Sequence, residues 1–149
     1  VSPKGDAPGF VHVVDEHTLV IPDRPGNNKI QGLQNLLENP KLGVIFFIPG
    51  VRETLRIEGE AILATDQEIL DLGKAGKSVP TVAIVVRVTK AYFHCGKALI
   101  RSKAWQEEGK IADGILPRFS QVLKDQTQMP APVQEIESFI KQEYKEGLY

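Results

Sequence analysis

The order of patterned segments constrains this chain most. Strand-type runs come in groups and do not alternate one for one with helices. Phe10 to Asp15 and Thr18 to Pro22 are β-branched runs separated only by Glu16-His17, the spacing of a hairpin with a two-residue turn, although that turn lacks the usual Asn or Gly. Leu42 to Ile48 is a continuous apolar run and predicts a strand buried on both faces. Thr54 to Leu63 alternates Leu55, Ile57 and Ala61 with Thr54, Arg56 and Glu60, and Gly59 inside it marks a bulge or a close backbone approach. Thr81 to Thr89 places Val82, Ile84, Val86 and Val88 on one face. A regular βαβα alternation would imply a doubly wound parallel sheet. This order instead predicts a mostly β fold with peripheral α-helices, a small antiparallel barrel with helices packed outside.

Helical periodicity is confined to a few places. After the turn cluster Asp23 to Asn28, Ile30, Leu33, Leu36 and Leu37 share a face, with Asn27 or Asn28 as the cap and Asn39-Pro40 as the stop. Thr65 to Glu68 has the form of a capping box and opens a short helix through Leu72. Gly73 to Pro80 is a loop, and Ala91 to Ser102 is read as a strand running into a short helix. Gln106 to Pro132 is polar and irregular. Val133 to Glu146 predicts an amphipathic helix with Val133, Ile136, Phe139, Ile140 and Tyr144 inward.

Composition narrows the function classes. The 149 residues fit one domain spanning 1–149, with 42% hydrophobic and 25% charged residues and a formal net charge of −1. No broad basic footprint for nucleic acid is present, so no nucleic-acid partner is expected. The longest apolar run is far too short to span a bilayer, so no membrane partner is expected either. The single cysteine, Cys95, cannot form an intrachain disulfide, so nothing asks for an oxidising compartment and a cytoplasmic location is expected. The chain starts Val1-Ser2-Pro3-Lys4-Gly5, which reads like the middle of something; an N-terminal segment is expected to be missing.

Three clusters could carry chemistry. Asp23 to Lys29 lies between a strand and a helix start, where backbone N–H groups and the helix dipole favour an anion. There Arg24 can fork onto phosphate oxygens, Asn27 and Asn28 offer amide donors, Gly26 allows close approach and Lys29 adds a point charge. The plain alternative on spacing alone is a capped helix with two solvated cations. Ser2 to Asp6 is a second polar cluster; as a bare motif it is weak, and a frayed terminus is the more common explanation. His94, Lys97, Arg101 and Trp105 recur at three- and four-residue steps and would share a face if the helix continues. Such a face suits a planar anionic ligand; its alternative is a solvated basic face with Trp105 as a core anchor. The three histidines have no metal-ligand spacing, and Cys95 beside His94 is no nucleophilic dyad, because neighbours on a strand point to opposite faces.

Four blocks, SPKGDAPGF (Ser2–Phe10), IPDRPGNNKI (Ile21–Ile30), IPGVRETLRIEGEA (Ile48–Ala61) and HCGKALIRSKAW (His94–Trp105), carry a resemblance over almost the whole chain. It resembles the pyridoxamine 5′-phosphate oxidase-related FMN-binding split-barrel proteins, in an uncharacterised branch. The resemblance implies an FMN-binding split β-barrel, here lacking its first strand, that works as a homodimer with FMN at the interface. It implies a flavoprotein oxidoreductase acting on a small substrate; the alternatives are a non-catalytic flavin-binding stress or redox module, and a heme or deazaflavin binder on the same barrel. It places Asn27, Asn28 and Lys29 at the family's phosphate trio, with Arg24 in the same cradle. Ser2, Lys4 and Gly5 fall in the block whose lysine approaches the isoalloxazine ring. Thr54, Leu55 and Arg56 fall where the oxidases carry Gln-Val-Arg, on the partner subunit's side of the flavin. Lys97, Arg101 and Trp105 are assigned to the cofactor or substrate pocket, although their block has no clear counterpart in the oxidases. The oxidases' arginine ahead of Lys-Gly and their C-terminal substrate-phosphate residues are absent, so oxidation of vitamin B6 is not carried over.

Overall fold

The computed structural model describes residues 1–26 and 29–148. Five strands form one antiparallel sheet: β1 (His12–Asp15), β2 (Thr18–Pro22), β3 (Lys41–Phe46), β4 (Thr54–Ala64) and β5 (Ala83–His94), in the order β1-β2-β5-β4-β3. The helices are α1 (Gln31–Glu38), α2 (Gln67–Leu72), α3 (Lys97–Arg101), α4 (Phe119–Thr127) and α5 (Val133–Glu146). This is the mostly β architecture that the segment order predicts. Among the described residues the sheet stays open, because β1 and β3 are its edges and do not pair with each other.

Two cores lie on the two faces of the sheet. Leu19, Ile21, Ile57, Ala61, Ile84 and Val86 form the larger, covered in part by Leu33 and Leu36 of α1. Val20, Leu70 and Ala83 form the smaller, under α2. β4 and β5 run side by side across a bulge at Glu58/Gly59. A Cβ on Gly59 would lie 2.5 Å from the Arg87 carbonyl oxygen, so glycine is required there by close approach. The Thr89 hydroxyl donates to the Glu58 carbonyl at 3.0 Å, satisfying an acceptor beside the irregularity. β5 therefore runs unbroken through Thr89-Lys90 to His94, joining the strand expected to end at Thr89 to the one expected from Ala91.

Several expectations are corrected. β3 is an edge strand with alternating half-buried and exposed positions, not a strand buried on both faces. Its second face, with Ile45, has no layer over it in one chain. The N-cap of α1 is Ile30; Asn27 and Asn28, the expected caps, lie outside the described residues. Ile30 and Leu37 are exposed. No capping box forms at α2, because its N-cap is Asp66 and makes no side-chain cap bond. The region 106–132 is not irregular throughout: it holds a 3-10 turn (Glu107–Gly109) and α4, which packs on α5. The Lys124 ammonium donates to the Ala131 carbonyl at 2.6 Å, and Arg118 pairs with Glu137 at 3.1 Å. On α5, Ile136 is buried but Phe139 and Tyr144 face outward, because a single neighbouring helix covers only a narrow stripe.

The β1–β2 turn explains its missing Asn-Gly. Neither Glu16 nor His17 has positive φ, so a primed turn is not used. Instead the Asp15 carboxylate accepts the His17 N–H at 2.7 Å, and the register shifts between Val13 and Asp15. No helix among the described residues is long and apolar enough to cross a membrane.

Candidate functional site

The four sequence blocks meet in pairs, at opposite ends of β4. At the Ala64 end, the N-terminal segment lies against the exit of β2. The Lys4 ammonium pairs with the Asp23 carboxylate. Arg24 donates from Nε to Asp6 Oδ2 at 2.5 Å and from Nη1 to the Gly73 carbonyl at 2.5 Å. The Asp6 and Arg24 side chains are only 3% and 14% exposed. Arg24 thus ties the N-terminal segment to the end of α2. Ser2 sits beside the first turn of α1, where a Cβ on Gly32 would lie 3.9 Å from its own Cβ. Lys29 is exposed and directly precedes Ile30, whose side chain has no oxygen to cap the first-turn N–H groups. Gly5 is exposed, with open space around its Cα.

Asp23 and Asp6 belong to the two clusters that the sequence singles out; the structure adds their role, as the carboxylates that hold Lys4 and Arg24. A shallow groove of about 460 Å³ opens beside this cluster, lined by Asp6, Pro8, Phe10, His12, Arg24 and Lys74. Among the described residues no group of three or more His, Cys, Asp or Glu is placed to hold a metal ion.

At the other end of β4, Thr54 is buried and pairs with His94 of β5. Leu55, opposite Phe93, packs on the main core. Arg56 lies opposite Tyr92 and Ile45, and its Nε is buried without a hydrogen-bond partner among the described residues. The third and fourth blocks are joined through the turn before β4. A Cβ on Gly96 would come within 2.6 Å of the Arg52 Cβ, and the Trp105 indole N–H donates to the Val51 carbonyl at 2.7 Å. The single helical face expected for His94, Lys97, Arg101 and Trp105 does not form. α3 ends at Arg101, and Lys103 turns the chain with φ 52°. Lys97 and Arg101 remain four residues apart on α3 and exposed, while Trp105 reaches back to Val51 by a separate route.

Residues 2–95 match the profile of the family described as pyridoxamine 5′-phosphate oxidase. The chain belongs to this family. The oxidase-family match takes in the first three blocks and stops at Cys95, so Lys97, Arg101 and Trp105 lie beyond it. Two solved structures similar to this chain are those of HupZ from Group A Streptococcus and of its histidine-to-alanine variant. The variant is 17% identical over 57% of this chain and 73% of its own, with a TM-score of 0.46. The parent HupZ is 17% identical over 56% of this chain and 68% of its own, with a TM-score of 0.45. No curated protein matches the chain.

Proposed function

We propose that two copies of this chain bind FMN at their interface and use it as an oxidoreductase on a small substrate. Membership of the oxidase family supports the cofactor, and the separation of the two clusters supports the dimer. β4 has eleven residues from Thr54 to Ala64, and ten steps of about 3.3 Å set its ends about 33 Å apart. A single flavin does not bridge that distance within one chain. A two-fold axis can bring the Lys4–Lys29 end of one copy to the Thr54–Arg56 end of another, giving two equivalent sites. Exposed Phe47, Ile48, Ile62 and Phe93 supply apolar surface for such a contact.

The donor set fits the cofactor. The first turn of α1, uncapped by the Ile30 side chain and preceded by Lys29, suits a phosphate, with Asn27, Asn28 and Arg24 as its surround. Ser2, Lys4 and Gly5 border the ring, and Thr54 and the unpartnered Arg56 Nε face it from the second copy, with only the backbone of Leu55 between them. Bound FMN would supply the hydride or electron transfer; these residues bind it, orient it and set the charge around it.

The test is the visible spectrum of the freshly purified protein, combined with light scattering. A flavin spectrum on a dimer is expected. A heme-type or deazaflavin spectrum, or an FMN-loaded monomer, removes the proposal. Replacing Asn28→Ala together with Lys29→Ala should weaken FMN by at least about tenfold and leave riboflavin nearly unchanged.

A further inference from the structure

The segment His94 to Trp105 carries Lys97, Arg101 and Lys103 and no acidic residue. At the opposite end of β4 the cations are held by carboxylates, Lys4 by Asp23 and Arg24 by Asp6. Among the described residues Lys97, Arg101, Lys103 and the adjacent Arg52 make no ion pair. The nearest acids in sequence do not neutralise them: Glu107 pairs with Lys110 at 2.6 Å, and Glu53 and Glu108 make no ion pair with any of the four.

The segment is also held in place. Gly96 is buried hard against Arg52, and a side chain there would meet Arg52 backbone atoms at 2.8 Å. Trp105 is tied to Val51, and Gly109 lies so close to the Lys103 carbonyl that a Cβ there would stand 2.1 Å from its oxygen. The cations therefore stand on a braced loop–helix–loop, so less ordering is needed when a ligand binds. Lys97 and Arg101, at i and i+4, are neighbours on one face of α3.

We infer that Lys97 and Arg101 form a binding site for the oxyanion group of a small molecule, a carboxylate or a phosphate. The site lies beside Thr54 and His94, at the end of β4 proposed to face the flavin. Its assignment as the substrate's anchor rests on that proposal; its binding of an anion does not. Arg101 offers a fork of donors and Lys97 a point charge, together enough to hold one anionic group. The reactive part of the substrate then extends from that group toward the cofactor. The ligand class is a small organic acid or phosphate ester.

The chain's one tryptophan, Trp105, is bonded to Val51 next to Arg52 and serves as the optical probe of this segment. Inorganic phosphate and succinate are titrated separately at constant ionic strength, read by Trp105 fluorescence and by calorimetry, with no flavin needed. At least one should bind saturably, and which one does distinguishes phosphate from carboxylate. The double change Lys97→Gln with Arg101→Gln should weaken that binding by at least about tenfold. Lys141→Gln, on α5 and paired to Glu137, should leave it unchanged. The affinity of the double variant for FMN should equal that of the wild type. Failure of both anions to bind, or binding that the double change leaves intact, overturns the inference. Loss of FMN affinity in the double variant also overturns it, because the pair would then belong to the cofactor.

Discussion

The Arg24 guanidinium meets the Asp6 carboxylate at 2.5 Å, and the same side chain donates to the Gly73 carbonyl. One residue thus joins the N-terminal segment, the exit of β2 and the end of α2. Removing one member of a nearly buried pair leaves an uncompensated charge. Asp6→Ala should therefore cost about 3 kcal/mol and lower the melting temperature by roughly 6–12 °C. It should also free the segment carrying Ser2 and Lys4, so limited proteolysis should cut ahead of β1 in the variant and not in the wild type.

Gly59 faces the Arg87 carbonyl across the bulge, with the Val86 Cγ1 next at 3.0 Å from a built Cβ. Those atoms belong to the central pair of strands and cannot swing aside. Gly59→Ala should destabilise by about 1–3 kcal/mol through overpacking. A lower urea midpoint at unchanged slope is the expected signature. A neutral substitution would mean that the bulge relaxes freely.

The sequence pattern was readable wherever one face of a segment is buried within the chain. The hairpin, β4 with its Gly59 irregularity, and α5 over Val133–Glu146 all follow from local period and turn chemistry. Patterns misled where the burying surface is absent or the signal is tertiary. The run Leu42 to Ile48 is apolar on both faces, yet one chain covers only the Leu42, Val44 and Phe46 face. Polar Thr89-Lys90 looked like the end of a strand, and only pairing with β4 across the bulge carries β5 onward. α4 escaped notice because its stability comes from α5 and from Lys124, with little apolar burial of its own. At the candidate site, the residue types were visible in the four blocks. Their assembly in pairs at opposite ends of β4 was not, since it depends on strand length and on contacts such as Asp6–Arg24.

The Asp15 carboxyl is held below the usual carboxylate range, first by the His17 N–H and then by the Thr18 side chain. A carboxylate with a lowered folded-state pKa contributes stability above its unfolded pKa, and loses it as pH falls through the folded value. Asp15→Asn should therefore destabilise the protein modestly at neutral pH. The difference from wild type should vanish in acid, once Asp15 is protonated in both the folded and unfolded states. Urea midpoints measured across that range check the sign, and a difference that persists in acid would assign the effect to something other than charge.

Lys4 and Asp23 form an ion pair whose side chains are 28% and 27% exposed, so two opposite charges stand together where the flavin ring is proposed to lie. Reduction adds negative charge to a flavin, and the local charge balance then sets how readily it occurs. Lys4→Met keeps the stem, removes the cation and leaves Asp23 unbalanced, so the midpoint potential of bound FMN should fall. Asp23→Asn leaves the Lys4 ammonium unbalanced, and the potential should rise. Each shift should be on the order of 30 mV, equivalent to a tenfold change in a two-electron equilibrium. Spectroelectrochemical titration of the three proteins decides it. Shifts of opposite sign place the ring within reach of the pair. Equal potentials in all three would put the flavin elsewhere, and shifts of the same sign would point to displacement of the N-terminal segment.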